Sequence, residues 1–230
     1  MNRKLISISI LFLIVYISIQ SCQNHTKNES LNATVKIESL YDKLSKFYKD
    51  TTFNGIYIYP DTAYVDSVFV FKGTPIDSSV LALLPYFAAK DLSWDDAFFG
   101  VYKFEIDSVY SGFITRVPGE YTSSDFSLWI FNRPKDELVA SMDIAALFGD
   151  AGDCLISNSY LFLDQLKQIH VINRLYTSYD HSVEDSADTR LDVQQTFLHT
   201  KWTDKGIDTL SNDSLALRKT YPVQMGNLIW

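Results

Sequence analysis

The chain has 230 residues, 47% hydrophobic and 21% charged, which is enough apolar material to bury one substantial core and too much for wholesale disorder. Nine glycines and six prolines exclude collagen-like and low-complexity chains. A formal charge of −8, with no Lys/Arg cluster among aromatics, argues against phosphate-backbone partners, so no nucleic acid is expected.

Arg3 and Lys4 precede an apolar or hydroxyl run over residues 5–19, and the chain turns polar at Gln20. A spanning helix needs about 20 apolar residues, so this shorter run has the shape of a secretory signal. The segment Ile19-Gln20-Ser21-Cys22 puts an apolar residue three positions before a cysteine and a small one directly before it, and it resembles the lipobox of bacterial lipoproteins. The resemblance implies removal of residues 1–21 and a diacylglyceryl group on the Cys22 sulfur. Acyl chains of the palmitate class would then hold the mature chain at a membrane of the cell envelope, with the outer membrane the expected one. The alternative is an uncleaved N-terminal anchor with Cys22 incidental; in either case the rest of the chain works outside the cytoplasm. With Cys22 acylated, Cys154 is the remaining thiol and no internal disulfide can form. Cys154 opens an apolar segment, which favours a small buried hydrophobe over a reactive nucleophile.

Residues 23–30 are polar throughout and read as a flexible tether, leaving residues 31–230 as a single β-rich domain. Ile37, Leu40, Tyr41, Leu44, Phe47 and Tyr48 recur at three- and four-residue intervals and predict an amphipathic helix. It either lies on the domain's own sheet or docks a partner. Residues 56–59 and 64–71 predict strands separated by Pro60 and Asp61. A second helix opens at Pro75, Asp77 and Ser78, carries Val80, Leu81, Leu83, Leu84 and Phe87, and is ended or kinked by Pro85.

Farther on the period is two. Tyr102, Phe104 and Ile106 alternate with Lys103, Glu105 and Asp107, as in a half-buried strand. Leu138, Ala140, Met142 and Ile144 form one apolar row, and Ile169, Val171, Leu175 and Tyr179 another. In residues 126–131 both faces are apolar, since Phe126, Leu128 and Ile130 oppose Trp129 and Phe131; this predicts a central strand covered on both sides. Turn signals at residues 118–119, 132–135, 149–152 and 204–206 leave connections too short for parallel crossovers. The expected fold is mainly β (α+β), an antiparallel meander sheet or open barrel with one or two packed helices.

The chain carries no GxSxG, SxxK, HExxH, CxxC, GxGxxG or phosphate-loop pattern, so no nucleophile, zinc or nucleotide site has a local signature and no cofactor is expected. Three places carry candidate chemistry. Asp150 and Asp153 lie in a glycine-rich stretch where carboxylate and backbone oxygens could hold a hard cation such as calcium, although turn chemistry accounts for the same residues. Asp180, His181, Ser182, Glu184, Asp185 and Asp188 form an acidic stretch that is either a solvated loop or a pH- or metal-sensitive one. Trp94, Asp95 and Asp96, near Phe98 and Phe99, match a sugar- or peptide-binding groove as well as a loop plugging a sheet edge.

The function expected from these residues is a membrane-anchored, noncatalytic binding or interaction domain whose protein or small-molecule partner is unspecified. One rival is a hydrolytic or metal-dependent envelope enzyme using Asp150, Asp153 and one of His170, His181 and His199. The other is a structural component of a membrane-associated assembly.

Overall fold

The computed structural model describes residues 38–52, 55–60, 71–85, 98–119 and 125–220. The strands are β1 (Lys49–Asp50), β2 (Ile56–Ile58), β3 (Thr74–Pro75), β4 (Phe99–Glu105), β5 (Tyr110–Val117), β6 (Asp125–Asn132), β7 (Glu137–Asp150), β8 (Asp153–Leu163), β9 (Ile169–Asp180), β10 (Leu191–Thr203) and β11 (Gly206–Ser211). The helices are α1 (Leu40–Ser45), α2 (Ser78–Leu81) and α3 (Ser214–Thr220). The protein is thus mainly β with a few short helices, as its period-two patterning predicts. The lipobox, Cys22, most of the predicted 64–71 strand and the group Trp94, Asp95, Asp96 lie outside the described residues.

From β4 to β11 each strand pairs antiparallel with the next, giving the meander that the short turns require. Strand β1 pairs parallel with β4, which makes the sheet mixed, while β3 adds to β4 and β2 crosses to β8, both antiparallel. The sheet is not closed into a barrel; it folds over on itself, and β7 is where it folds. Residues 137–145 of β7 pair with β6, and residues 146–150 pair with β8. The register with β6 shifts twice along the first stretch. Extra residues on one strand bend it and add twist, and strands that change partners at such bends form the corners of folded sheets.

The fold-over is visible in contacts between strands far apart in the sheet order. The Tyr110 ring of β5 meets Trp202 of β10 edge-on at 4.5 Å. One core therefore lies between the two halves, built from Phe104, Ile114, Phe126, Leu128 and Ile130 on one side and Ile58, Leu161, Ile169 and Val171 on the other. A second core lies on the outer face of the first half, where Phe113, Trp129 and Phe131 pack with Leu44, Val80 and Leu81 from α1 and α2. Strand β6 feeds both cores by alternation, which is why both of its faces are apolar. A smaller cluster of Ile172, Phe197 and Leu217 seats α3 on the outer face of the second half.

With six and four residues, α1 and α2 are too short to persist alone. Full burial of each apolar side chain contributes about 1.5–3 kcal/mol, and their N-termini are capped. Ser39 Oγ accepts from the Asp42 amide at 3.0 Å, and Asp77 Oδ1 from the Ser79 amide at 2.7 Å. These bonds to Ser79 hold the Asp77 carboxyl below its usual value. Asp136, in the β6–β7 turn, adds a long-range cap: its carboxylate accepts from the Leu40 and Tyr41 amides at 2.7 and 2.8 Å. Helix α1 is therefore pinned to a hairpin nearly a hundred residues away, in answer to the choice between packing on its own sheet and docking elsewhere. The predicted helix is longer than the observed one, because residues 46–48 form a turn, the Phe47 amide donating to the Leu44 carbonyl and the Tyr48 amide to the Ser45 carbonyl, on the way into β1.

Candidate functional site: a cleft between hairpin ends and an Asp–His–His relay

Where the folded sheet stays open, three hairpin connections meet: residues 106–109 after β4, residues 164–168 after β8 and residues 204–205 after β10. They border two concavities. The larger, about 790 Å³, lies between Thr51, Thr52, Lys103 and Glu105 on one side and Leu163 and Lys167 on the other, with Phe104 in its wall. The smaller, about 210 Å³, is bordered by Asp107, Tyr110, Lys167, Gln168, Trp202 and Asp204. Small-molecule sites commonly span about 300–1,000 Å³ and favour the mouths of barrel-like sheets, so the larger cleft has the size and place of a ligand site. Its lining is mostly polar.

The charges in the larger cleft are arranged in pairs. Lys103 Nζ lies 3.2 Å from Asp50 Oδ1 and 5.8 Å from the Tyr41 ring centroid. Glu105 accepts from Arg133 Nη1 at 3.0 Å, while Arg133 Nη2 donates to the Asp107 carbonyl. Lys167 lines both concavities, and among the described residues it has no carboxylate within ion-pair distance.

Lys167 belongs to a tightly knotted turn. Asp164 Oδ1 accepts from the Leu166 and Gln168 amides, both at 2.8 Å. The Asp164 amide donates to the Gln168 carbonyl, and the Lys167 amide donates to the Asp164 carbonyl, each at 3.0 Å. Lys167 itself is held at φ 61°, a left-handed conformation that side chains other than Gly, Asn or Asp rarely adopt.

Asp164 also begins a line of three polar groups across the outer face of the second half. Its Oδ2 lies 3.2 Å from His170 Nε2, and His170 Nδ1 lies 2.9 Å from His199 Nε2. A carboxylate accepts, so Nε2 of His170 carries the hydrogen when the ring is neutral; its Nδ1 then accepts from His199 Nε2–H. The two imidazole centroids are 5.1 Å apart, close to the 2.9 Å contact plus the two ring radii, so the facing nitrogens point at each other. That is hydrogen-bond geometry, whereas a shared metal ion needs lone pairs converging on a point beside the line. Phe162 stacks on His170 at 4.9 Å with an interplanar angle of 15°. Burial, followed by the neighbouring His170, holds the His199 imidazole below its usual value. The arrangement ties the cleft's turn to β9 and β10 through two consecutive hydrogen bonds.

The residues singled out in the sequence fall elsewhere. Asp150 and Asp153 are the last ladder pair of the β7–β8 hairpin, and the turn between them, Ala151 at φ 46° and Gly152 at φ 92°, has the positive angles of a type I′ connection. Strand β7 thus runs through Gly149 and Asp150, which the sequence pattern assigns to a loop. Glycine is required at 152, where a Cβ would stand 2.8 Å from the Asp180 carbonyl. Among the described residues no three of His, Cys, Asp and Glu gather as metal ligands. His181 Nε2 is 2.9 Å from Asp192 Oδ2, and the Tyr179 hydroxyl donates to Glu184 at 2.6 Å. The acidic stretch is thereby organised into a hydrogen-bonded loop around a short 3-10 turn (His181–Val183). Cys154 is half-buried on β8, and burial raises its thiol above the usual value despite a hydrogen bond with Ser178, which disfavours the thiolate.

The cleft and the relay were not legible as sites. Their residues come from α1, β4, β8, β9 and β10, and the only prior signal was the presence of His170 and His199 on two strands that a hairpin would pair. In the observed register His170 faces Lys201 and His199 faces Ile172, so the two histidines share a face as diagonal neighbours.

No family model matches this chain, no curated protein is similar to it, and no solved structure matches its fold. No helix among the described residues is long and apolar enough to cross a membrane.

Proposed function

We propose that this protein is an envelope lipoprotein, anchored through acyl chains on Cys22, whose β-rich domain binds a ligand without transforming it. The observation that carries the binding half is the 790 Å³ cleft at the open end of the folded sheet, walled by residues 50–52 and the end of β4 on one side and by Leu163 and the 164–168 turn on the other, with that turn fixed by the Asp164 knot. A preformed, rigid concavity lowers the ordering cost of binding. The anchor half rests on Ile19-Gln20-Ser21-Cys22. An anchored domain of this kind serves as a receptor or adaptor at the membrane face.

The test places a photo-crosslinking residue at Thr52, inside the cleft, and at Asp150, in the β7–β8 hairpin at the opposite end of the sheet, in the full chain expressed in its bacterial host. The reading expects an adduct from position 52 that position 150 does not give. Absence of any adduct at 52, or the same adduct at both positions, would overturn it.

A further inference from the structure

Resting on the reading of the larger cleft as a binding site, the charge arrangement says what kind of ligand enters it. The acids in its wall are already engaged: Asp50 lies 3.2 Å from Lys103, and Glu105 lies 3.0 Å from Arg133. Lys167 remains, with no carboxylate within ion-pair distance among the described residues, on a chain whose formal charge is −8. Its backbone is fixed by the Asp164 knot at φ 61°, so the stem of the side chain starts from a set direction. Local strain of this sort persists only where surrounding structure enforces it.

Lys103 stands on the opposite wall. Its side chain is only 17% exposed, while its Asp50 partner is 86% exposed. Asp50 can therefore turn to solvent when another anion arrives, leaving the Lys103 ammonium over the Tyr41 ring. The remaining lining sets the hydroxyls of Thr51 and Thr52 beside the apolar surface of Tyr41, Phe104 and Leu163. Hydroxyls next to ring faces suit a hydroxyl-rich molecule of the sugar kind, which offers a polar edge and an apolar face to match them.

We propose that the larger cleft binds a small hydroxyl-rich acid, of the sugar-acid or sugar-phosphate class, whose anionic group is received by Lys167 and Lys103. A carboxylate and a phosphate present the same chemistry to an ammonium, and the probes separate them.

The experiment is isothermal titration of the full chain in detergent with galactose, galacturonate and galactose 6-phosphate, at low and at physiological salt. The same titrations use Lys167→Gln, Lys167→Arg and the cleft-plugging Thr52→Trp. Lys167 is exposed, so its variants keep the fold. The proposal expects at least one acidic probe to bind about tenfold more tightly than galactose, more weakly as salt rises. Lys167→Gln should abolish the preference, and Lys167→Arg should keep most of it. Whichever acidic probe wins identifies the anion. If galactose binds as well as either acid and Lys167→Gln changes nothing, the anion proposal is overturned while the cleft reading stands. If none of the three probes binds, the ligand class is overturned. If the acids bind but Thr52→Trp has no effect, the cleft itself is overturned as their site.

Discussion

Gly112→Ala tests the packing between the two halves of the sheet at the point where it meets the cleft. Gly112 on β5 faces Phe104 on β4, and a Cβ there would stand 2.3 Å from Phe104 Cζ and 2.7 Å from both Cε atoms. Phe104 is 3% exposed and packs in the core between the halves, so its ring has little room to swing aside. Overpacking of this kind costs about 1–3 kcal/mol. Alanine recovers about 0.4–1 kcal/mol by restricting the unfolded chain, leaving a net loss of about 1–2 kcal/mol. Urea unfolding followed by tryptophan fluorescence reads the change. Because the ring is the obstacle, Phe104→Leu should relieve it. The double variant should therefore be more stable than the two single losses predict, by about 1 kcal/mol. Wild-type stability for Gly112→Ala, or strict additivity with Phe104→Leu, would refute the reasoning.

Ala151→Gly should stabilise the β7–β8 hairpin by about 1 kcal/mol, because alanine at φ 46° pays the left-handed penalty that glycine avoids; an unchanged denaturation midpoint would count against the turn assignment. Asp136→Ala removes both long-range hydrogen bonds to the start of α1 and should cost about 2 kcal/mol, with early hydrogen exchange at Leu40 and Tyr41 as the local readout. For pH, the His199 imidazole is held below its usual 6.5 by burial and by His170, so the folded state takes up its proton less readily than the unfolded state does. Stability from this group is full above 6.5, declines as pH falls below that value, and levels off below the folded value. Denaturation midpoints of His199→Gln should accordingly fall less than wild type between pH 7.5 and 5.5, and parallel profiles would contradict the relay.

The sequence pattern carried the fold wherever alternation decides which face is buried. Strand β6 is the clearest case: its two apolar rows enter two different cores. The β10–β11 turn was equally legible, with Gly206 at φ 123° where the sequence placed a glycine of positive φ. What stayed hidden depends on chain segments distant from one another. Nothing in residues 137–150 announces that β7 changes partner near Ala145, since both stretches have the composition of half-buried strand. Two-residue β1 and three-residue β2 are too short to show a period, so their pairings with β4 and β8 could not be read. The relay was hidden for a related reason. Asp164 looks like an ordinary turn residue, and His170 and His199 become neighbours only once the β9–β10 register is fixed. The hairpin carrying Asp150 and Asp153, by contrast, has the turn chemistry that the sequence offered as the alternative to a cation loop.

Location decides whether a binding cleft at the end of this sheet can act as a receptor at a membrane. Mass spectrometry of the N-terminal peptide, from the full-length product extracted from host membranes, reads it directly. The account predicts a chain beginning at Cys22 and heavier by a diacylglyceryl group. A peptide that retains Met1, or that begins at an unmodified Cys22, would contradict it.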